Sequence, residues 1–198
     1  ENLVVDARYV WAPPGARLGN RTVAEESIGG VDSSGMLCSL EELGLTGSSG
    51  ALLKLNPQLE TGSDALDVLG LNRPILEIDL TPNRADCLSV LGIARDYAAF
   101  LEQDLDAPSP PEPDPSGKET PGVSIAAKDR CARYHGLRVD GVTPEPSSLA
   151  VQRRLVQMGL RPRNQIVDLT NYVLFEQGNP LHAFDRDRLS GTIQVRQA

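Results

Sequence analysis

Aromatic side chains are scarce in this 198-residue chain, with three Phe, four Tyr and one Trp, so any core has to be built from Leu, Val, Ile and Ala. Histidine is scarcer still. His135 and His182 fall in different elements, which excludes a multi-histidine metal site unless carboxylates supply most of the ligands. The three cysteines, Cys38, Cys87 and Cys131, lie far apart and form no C-x-x-C pair. They are expected as reduced, buried small hydrophobes, not as disulfides or metal ligands. No apolar run approaches the roughly 20 residues that cross a bilayer. Glu1-Asn2-Leu3 also lacks the charged start and apolar run of a secretory leader. A soluble, cytoplasmic protein with no membrane partner is the expectation. G-x-x-x-x-G-K-[ST], G-x-G-x-x-G, H-E-x-x-H and G-x-S-x-G are all missing, so neither a bound nucleotide nor any other cofactor is expected in this chain.

Basic charge is also in short supply, with 19 Lys and Arg against 27 Asp and Glu and a formal charge of −8. That argues against a continuous nucleic-acid coat, which needs clustered cations. The distribution is uneven: residues 1–121 carry 8 basic and 20 acidic side chains, residues 122–198 carry 11 and 7. The C-terminal part is the better candidate for meeting a polyanion.

Short strands with turns at Pro13-Pro14-Gly15 and Gly29-Gly30 are the grammar of a small barrel over the first sixty residues. Leu3–Val10 and Ala51–Leu55 read as strands, and Ser39 as the cap of a short helix over Leu40–Gly44. A brief helix over Asp64–Gly70 and a strand over Ile75–Leu80 are expected next. The turn Thr81-Pro82-Asn83-Arg84 then leads into a long amphipathic helix reaching about Gln103, with Asp86 able to cap it. Six prolines and several acidic residues make 106–121 an extended linker. Beyond it, Val123–Ala126 and Tyr134–Val142 read as strands. One helix is expected from Ser147 or Ser148 through Met158, and a second from about Asn164 to Gln177, ended by Gly178-Asn179-Pro180. The chain opens on Glu1 at a strand and closes on the strand Thr192–Arg196 with nothing after it to pair. An internal fragment is therefore expected, with an open sheet edge that favours self-association.

Few residues here suggest chemistry. His182 stands in a loop just after a helix end, a setting where function is concentrated, although a lone loop histidine is also a common structural residue. His135 reads as an ordinary strand histidine. Arg161-Pro162-Arg163, at the break between two helices, either presents guanidinium groups to phosphate or carboxylate or is a solvated turn. Thr170 and Asn171 are mediocre helix formers placed mid-helix; they either face a cavity or bond back to the backbone. The polar cluster Asp79–Asp86 reads as a structural turn.

Three stretches carry a resemblance. They are Gly30–Ser39, Leu76–Arg95 with its Asp79-Leu80-Thr81-Pro82-Asn83-Arg84-Ala85-Asp86 core, and Val167–Leu174 followed by Gly178–Asp185. In order and spacing they resemble the β subunit of bacterial phenylalanyl-tRNA synthetase, over nearly the whole chain. The resemblance implies an α+β architecture: a partial OB-type, tRNA-binding-like barrel at 1–60, a small α/β segment with a long helix at 61–105, the linker at 106–121, and the first part of a mixed α/β editing domain at 122–198. It implies that ATP and Mg2+ serve the whole enzyme through the companion α subunit of a heterotetramer, with phenylalanine tRNA as the RNA partner. Such an enzyme hydrolyses tyrosine mistakenly esterified to that tRNA, because an apolar pocket rejects an isostere with one extra hydroxyl only about 10²-fold.

The resemblance places Arg161, Thr170 and His182 in the wall of the editing pocket and Asn171 beside the substrate. Arg161 would steady the tRNA 3′ end or the substrate carbonyl, Thr170 a polar atom or water, and His182 the ribose or the attacking water. Histidine suits general-base work near neutral pH, whereas water positioned by backbone and 3′-hydroxyl would need no such base. The family's pocket also uses a glutamate and small residues from beyond Ala198, so the chain by itself is expected to be inactive. Glu25, Glu26, Ile28 and Gly29 depart from the pattern, since such barrels often carry Lys and Arg there. Weak, salt-sensitive RNA binding is the expectation for that part. The competing reading is a non-catalytic tRNA-docking or scaffold module.

Overall fold

The computed structural model describes residues 3–45, 51–107, 109, 112 and 121–197. Among them the chain is a mixture of short strands and four α-helices. The N-terminal strands are β1 (Arg8–Tyr9), β2 (Trp11–Ala12), β3 (Arg17–Leu18), β4 (Arg21–Thr22), β5 (Glu26–Ile28), β6 (Val31–Ser33), β7 (Met36–Leu37) and β8 (Lys54–Leu55). β3 with β4 and β5 with β6 are local antiparallel hairpins. β2 pairs with β7, Trp11 opposite Leu37, and β1 pairs with β8, Arg8 opposite Leu55, so two long-range ladders enclose the hairpins. Prolines and glycines end several of these runs, at Pro13, Gly19 and Gly29, because each removes a ladder donor or weakens a strand interior. As a result no closed barrel forms among the described residues, and the expected strand over Leu3–Val10 is confined to its end.

The core is aliphatic, as the scarcity of aromatics requires. Val10, Ala12, Val23, Cys38, Leu53 and Leu69 form one buried cluster, against which Leu149, from the opposite half of the chain, also packs. Cys38 is fully buried in it, and burial pushes its thiol pKa up. The expected helix over Leu40–Gly44 is instead a set of turns. Its N-terminal signal is real, since the Ser39 N–H donates to Glu42 Oε2 at 2.7 Å and the Glu42 N–H to Ser39 Oγ at 3.3 Å. Leu45 then donates to the Leu40 carbonyl at 2.8 Å, which closes the turn before helix propagates.

The first helix, α1 (Ala65–Leu69), is capped by Asp64 at one end and by Gly70 at the other. Ile75–Leu80 forms no ladder, contrary to expectation, and Ile75, Leu76 and Ile78 are exposed. A strand is a pairing, and alternation of apolar residues supplies only the face, not the partner. The long helix starts later than the amphipathic pattern suggests. A single 3-10 turn (Ala85–Cys87) precedes α2 (Val90–Phe100), and the cap is Ser89, whose Oγ accepts the Gly92 N–H at 2.9 Å. Asp86 is unavailable as a cap because its carboxylate is bonded to Arg84.

Most of the expected linker, at 108, 110, 111 and 113–120, lies outside the described residues. Past it come β9 (Val123–Ile125), α3 (Leu149–Gln157), α4 (Gln165–Gln177) and β10 (Ile193–Val195). β10 pairs in parallel with β9, Ile193 opposite Val123, so this strand finds its neighbour earlier in the chain. Tyr134–Val142 makes no ladder either, and Leu137, Val139 and Val142 stay exposed. Among the described residues no helix is long and apolar enough to cross a membrane.

Candidate functional site

The region that carries the candidate residues is the pair α3 and α4. Ser148 caps α3, and Asn164 caps α4, its Oδ1 accepting from the Ile166 and Val167 N–H groups at 3.1 Å each. Between the helices runs Arg161-Pro162-Arg163, with Arg161 exposed and Pro162 buried. Gly178, in the left-handed conformation at φ 80°, ends α4 and donates to the Leu174 carbonyl at 2.8 Å. A side chain rarely adopts that φ, so glycine here sets where the loop containing His182 begins.

Thr170 is half-buried and its hydroxyl donates to the Val167 carbonyl at 2.7 Å, the back-bonded alternative. Asn171 is half-buried beside it. His182 is exposed, its ring 6.4 Å from that of Phe184 and tilted 44° to it; Leu181 and Phe184 are exposed as well. Thr170 and Asn171 are thus neighbours on one helix, Arg161 belongs to the turn before it and His182 to the loop after it. Thr170, Asn171 and His182 share no hydrogen bond among the described residues. The helix between the two flanking segments is 13 residues long, about 20 Å at 1.5 Å per residue.

Sequence reasoning missed the group at the centre of this pair. Asp168 is 1% exposed, its Oδ2 accepting the Ser147 hydroxyl at 2.6 Å and its Oδ1 the Arg163 backbone N–H at 2.8 Å. The signal was available in Val167-Asp168-Leu169, a carboxylate between two apolar residues in the first turns of a helix. On the same pair of helices, Arg154 Nη1 donates to the Tyr172 hydroxyl at 2.7 Å, and Arg154 Cζ lies 5.7 Å from that ring's centroid. The hydroxyl in turn donates to Glu176 Oε1 at 3.0 Å. Burial, and then the bond to Glu176, push the phenol pKa up.

In the polar turn before α2, Arg84 is ion-paired to both Asp86 and Asp96. Arg84 Nη2 donates to Asp96 Oδ1 at 2.6 Å, to Asp86 Oδ2 at 3.0 Å and to Cys87 Sγ at 2.8 Å. The guanidinium beside Asp86 holds its carboxyl down to about 2, and Arg84 itself is held above its ordinary value by Asp86 and Asp96. An open concavity of about 550 Å³ lies elsewhere, lined by residues that include Arg17, Arg21, Glu41, Glu42, Leu43 and Leu66 and by none of the four candidates. Among the described residues no three His, Cys, Asp or Glu side chains are grouped to hold a metal ion.

Residues 130–198, which hold α3, α4 and β10, match the B3/4 domain family. Over its full length the chain is 45% identical to the phenylalanine–tRNA ligase β subunit of Carboxydothermus hydrogenoformans, of which it covers 25%. It is 42% identical to that of Aquifex aeolicus over 96% of the chain and 24% of the relative. To that of Thiobacillus denitrificans it is 41% identical over 100% of the chain and 25% of the relative. Over its whole length the chain is similar to part of phenylalanine–tRNA ligase β subunits. It spans about a quarter of the length of the relatives it matches. The B3/4 match falls on the part of the chain with the basic excess and with all four candidate residues.

Proposed function

We propose that the chain serves a phenylalanine–tRNA ligase as part of its β subunit, working with an α subunit and phenylalanine tRNA in the cytoplasm, and that residues 122–198 supply part of a pocket that hydrolyses tyrosine esterified to that tRNA. The observation that carries this reading is the end-to-end likeness to proteins named for that ligase, at 45% identity over 100% of the chain. Residues 1–60 would form the partial OB-type module and 61–105 the small α/β segment that joins it to the pocket. Charging, with ATP and Mg2+, is assigned to the companion subunit. Among the described residues no three His, Cys, Asp or Glu side chains are grouped to hold that metal, so they do not fit it.

In the hydrolytic reading α4 is the frame. Arg161 precedes it, exposed and able to meet the phosphate or carbonyl of a tRNA 3′ end. Thr170 keeps acceptor lone pairs after donating its proton to Val167, and can hold a water through them. Asn171 offers an amide to the substrate. His182, exposed beyond the Gly178 cap, is placed to contact the terminal ribose or to take a proton from the attacking water. The second reading, a docking or scaffold module, is favoured by the back-bonded Thr170 and by the exposure of His182, which has a ring neighbour but no hydrogen-bonded partner among the described residues.

The deciding experiment follows hydrolysis of tyrosyl-tRNA made on the phenylalanine acceptor, with the full-length subunit in its native complex and its His182→Ala variant. A large loss of deacylation with intact phenylalanine charging is the expected result. Unchanged deacylation removes His182 from the pocket and leaves the scaffold reading for this region.

A further inference from the structure

A buried carboxylate is costly unless its oxygens are hydrogen-bonded. At Asp168 both are, and by groups from two different segments: the Ser147 hydroxyl ahead of α3 and the Arg163 N–H ahead of α4. Ser147 is held from its other side, since Gln152 Nε2 donates to its carbonyl at 2.6 Å, and both residues are 7% exposed. Only Pro162 separates the anchored Arg163 from Arg161. Its ring locks φ, and it is buried, so fixing Arg163 fixes the direction in which Arg161 leaves the turn. Two and three residues after Asp168, on the same helix, come Thr170 and Asn171.

We propose that Asp168 is a positioning residue. It locks the Arg161-Pro162-Arg163 turn to the helix carrying Thr170 and Asn171, and thereby sets the distance at which Arg161 meets a tRNA 3′ end whose ester the other side of the pocket attacks. This rests on the hydrolytic reading above. It adds to that reading a residue that touches no substrate and controls the geometry of those that do.

The test uses the full-length subunit in its complex, with Asp168→Ala, Asp168→Asn and Ser147→Ala assayed beside Arg161→Ala and His182→Ala. Deacylation of tyrosyl-tRNA is followed as a function of tRNA concentration, at a temperature where circular dichroism shows each variant folded. Because a displacement on the order of 1 Å can cost about 10²-fold, Asp168→Ala is expected to lower kcat for deacylation by about that factor. Asp168→Asn still offers Arg163 an acceptor, and its amide can donate to the Ser147 oxygen, so it should recover to within about threefold of wild type. A merely structural role would lower the melting temperature in both variants without that recovery of rate.

If Arg161→Ala and His182→Ala slow deacylation while Asp168→Ala does not, the positioning role is overturned and the hydrolytic reading stands. If none of the five changes deacylation, both are overturned. Asparagine as slow as alanine also overturns the positioning role. Should Asp168→Ala not fold, Ser147→Ala decides: a lowered melting temperature with unchanged deacylation rejects the proposal, and a loss of rate supports it.

Discussion

Replacing Arg153 by alanine removes a side chain of α3 that caps the C-terminal end of α1 from 84 residues away in sequence. Its Nη1 donates to the Leu69 carbonyl at 3.0 Å, and Gln157 Nε2 adds a bond to the Gly70 carbonyl at 3.3 Å. These are carbonyls that a helix end leaves without an intrahelical partner. A hydrogen bond from a charged donor contributes about 1.5–3 kcal/mol, but Arg153 Nε is buried with no partner, and that desolvation offsets part of the gain. The expected loss for Arg153→Ala is about 1–2 kcal/mol, and for Gln157→Ala, whose bond is neutral and longer, about 0.5 kcal/mol. For a chain of this size each kcal/mol moves Tm by about 2–4 °C, so Arg153→Ala should melt about 2–8 °C lower. Urea unfolding followed by both far-UV circular dichroism and the fluorescence of Trp11, which sits in β2 of the other half, makes the test specific. Coincident transitions that move together in the variant are expected if the clasp joins the halves into one cooperative unit. An unchanged midpoint, or a helical transition that shifts while the Trp11 transition stays, rules out a clasp between α1 and α3.

Two further outcomes test the turn before α2. A Cβ added at Gly92 would run into the Asp86 backbone carbonyl, and backbone there cannot swing aside as a side chain can, so Gly92→Ala should cost about 1–3 kcal/mol by thermal melting. Tolerance of alanine at wild-type Tm would mean that the turn does not lie so close to α2. The Asp86 carboxyl, held by its hydrogen bonds to Arg84, should titrate by NMR near about 2 instead of 3.8. Since its folded pKa is the lower one, what the pair contributes is present above pH 3.8 and disappears as pH falls toward about 2. Arg84→Met should return the midpoint toward 3.8, and a midpoint already there in the wild type would contradict the ion pair.

Helix ends were the most legible part of the fold, because a cap is a local event. Asp64, Ser148, Asn164 and Gly178 cap their helices as their residue types suggest. At the start of α2 a competing local partner decides which residue caps. Asp86 looked like a cap but was taken by Arg84, and the hydroxyl of Ser89, three residues on, did the capping instead. The strands over Ile75–Leu80 and Tyr134–Val142 were illegible for a different reason. Alternation predicts a face, whereas a ladder needs a second chain segment in register, and sequence periodicity carries no information about which segment that is.

The candidate site divides along the same line. Arg161, Thr170, Asn171 and His182 stand out in the sequence by residue type and place in the chain, whereas their pocket roles rest on likeness to a family. Asp168 came from burial alone. Of 27 acidic residues in the sequence it is the one that is buried among those described, and three of the four buried polar residues, Ser147, Gln152 and Asp168, belong to its cluster. An apolar residue of similar volume would serve the stability of a helix pair as well or better than a buried carboxylate. What a carboxylate adds is direction: two oxygens, each demanding one donor at one angle, admit a single arrangement of the Ser147 segment and the Arg163 turn on α4, where a leucine would admit several. A requirement for one fixed turn geometry, at the turn that carries Arg161, is therefore the physical reason for an acid at position 168.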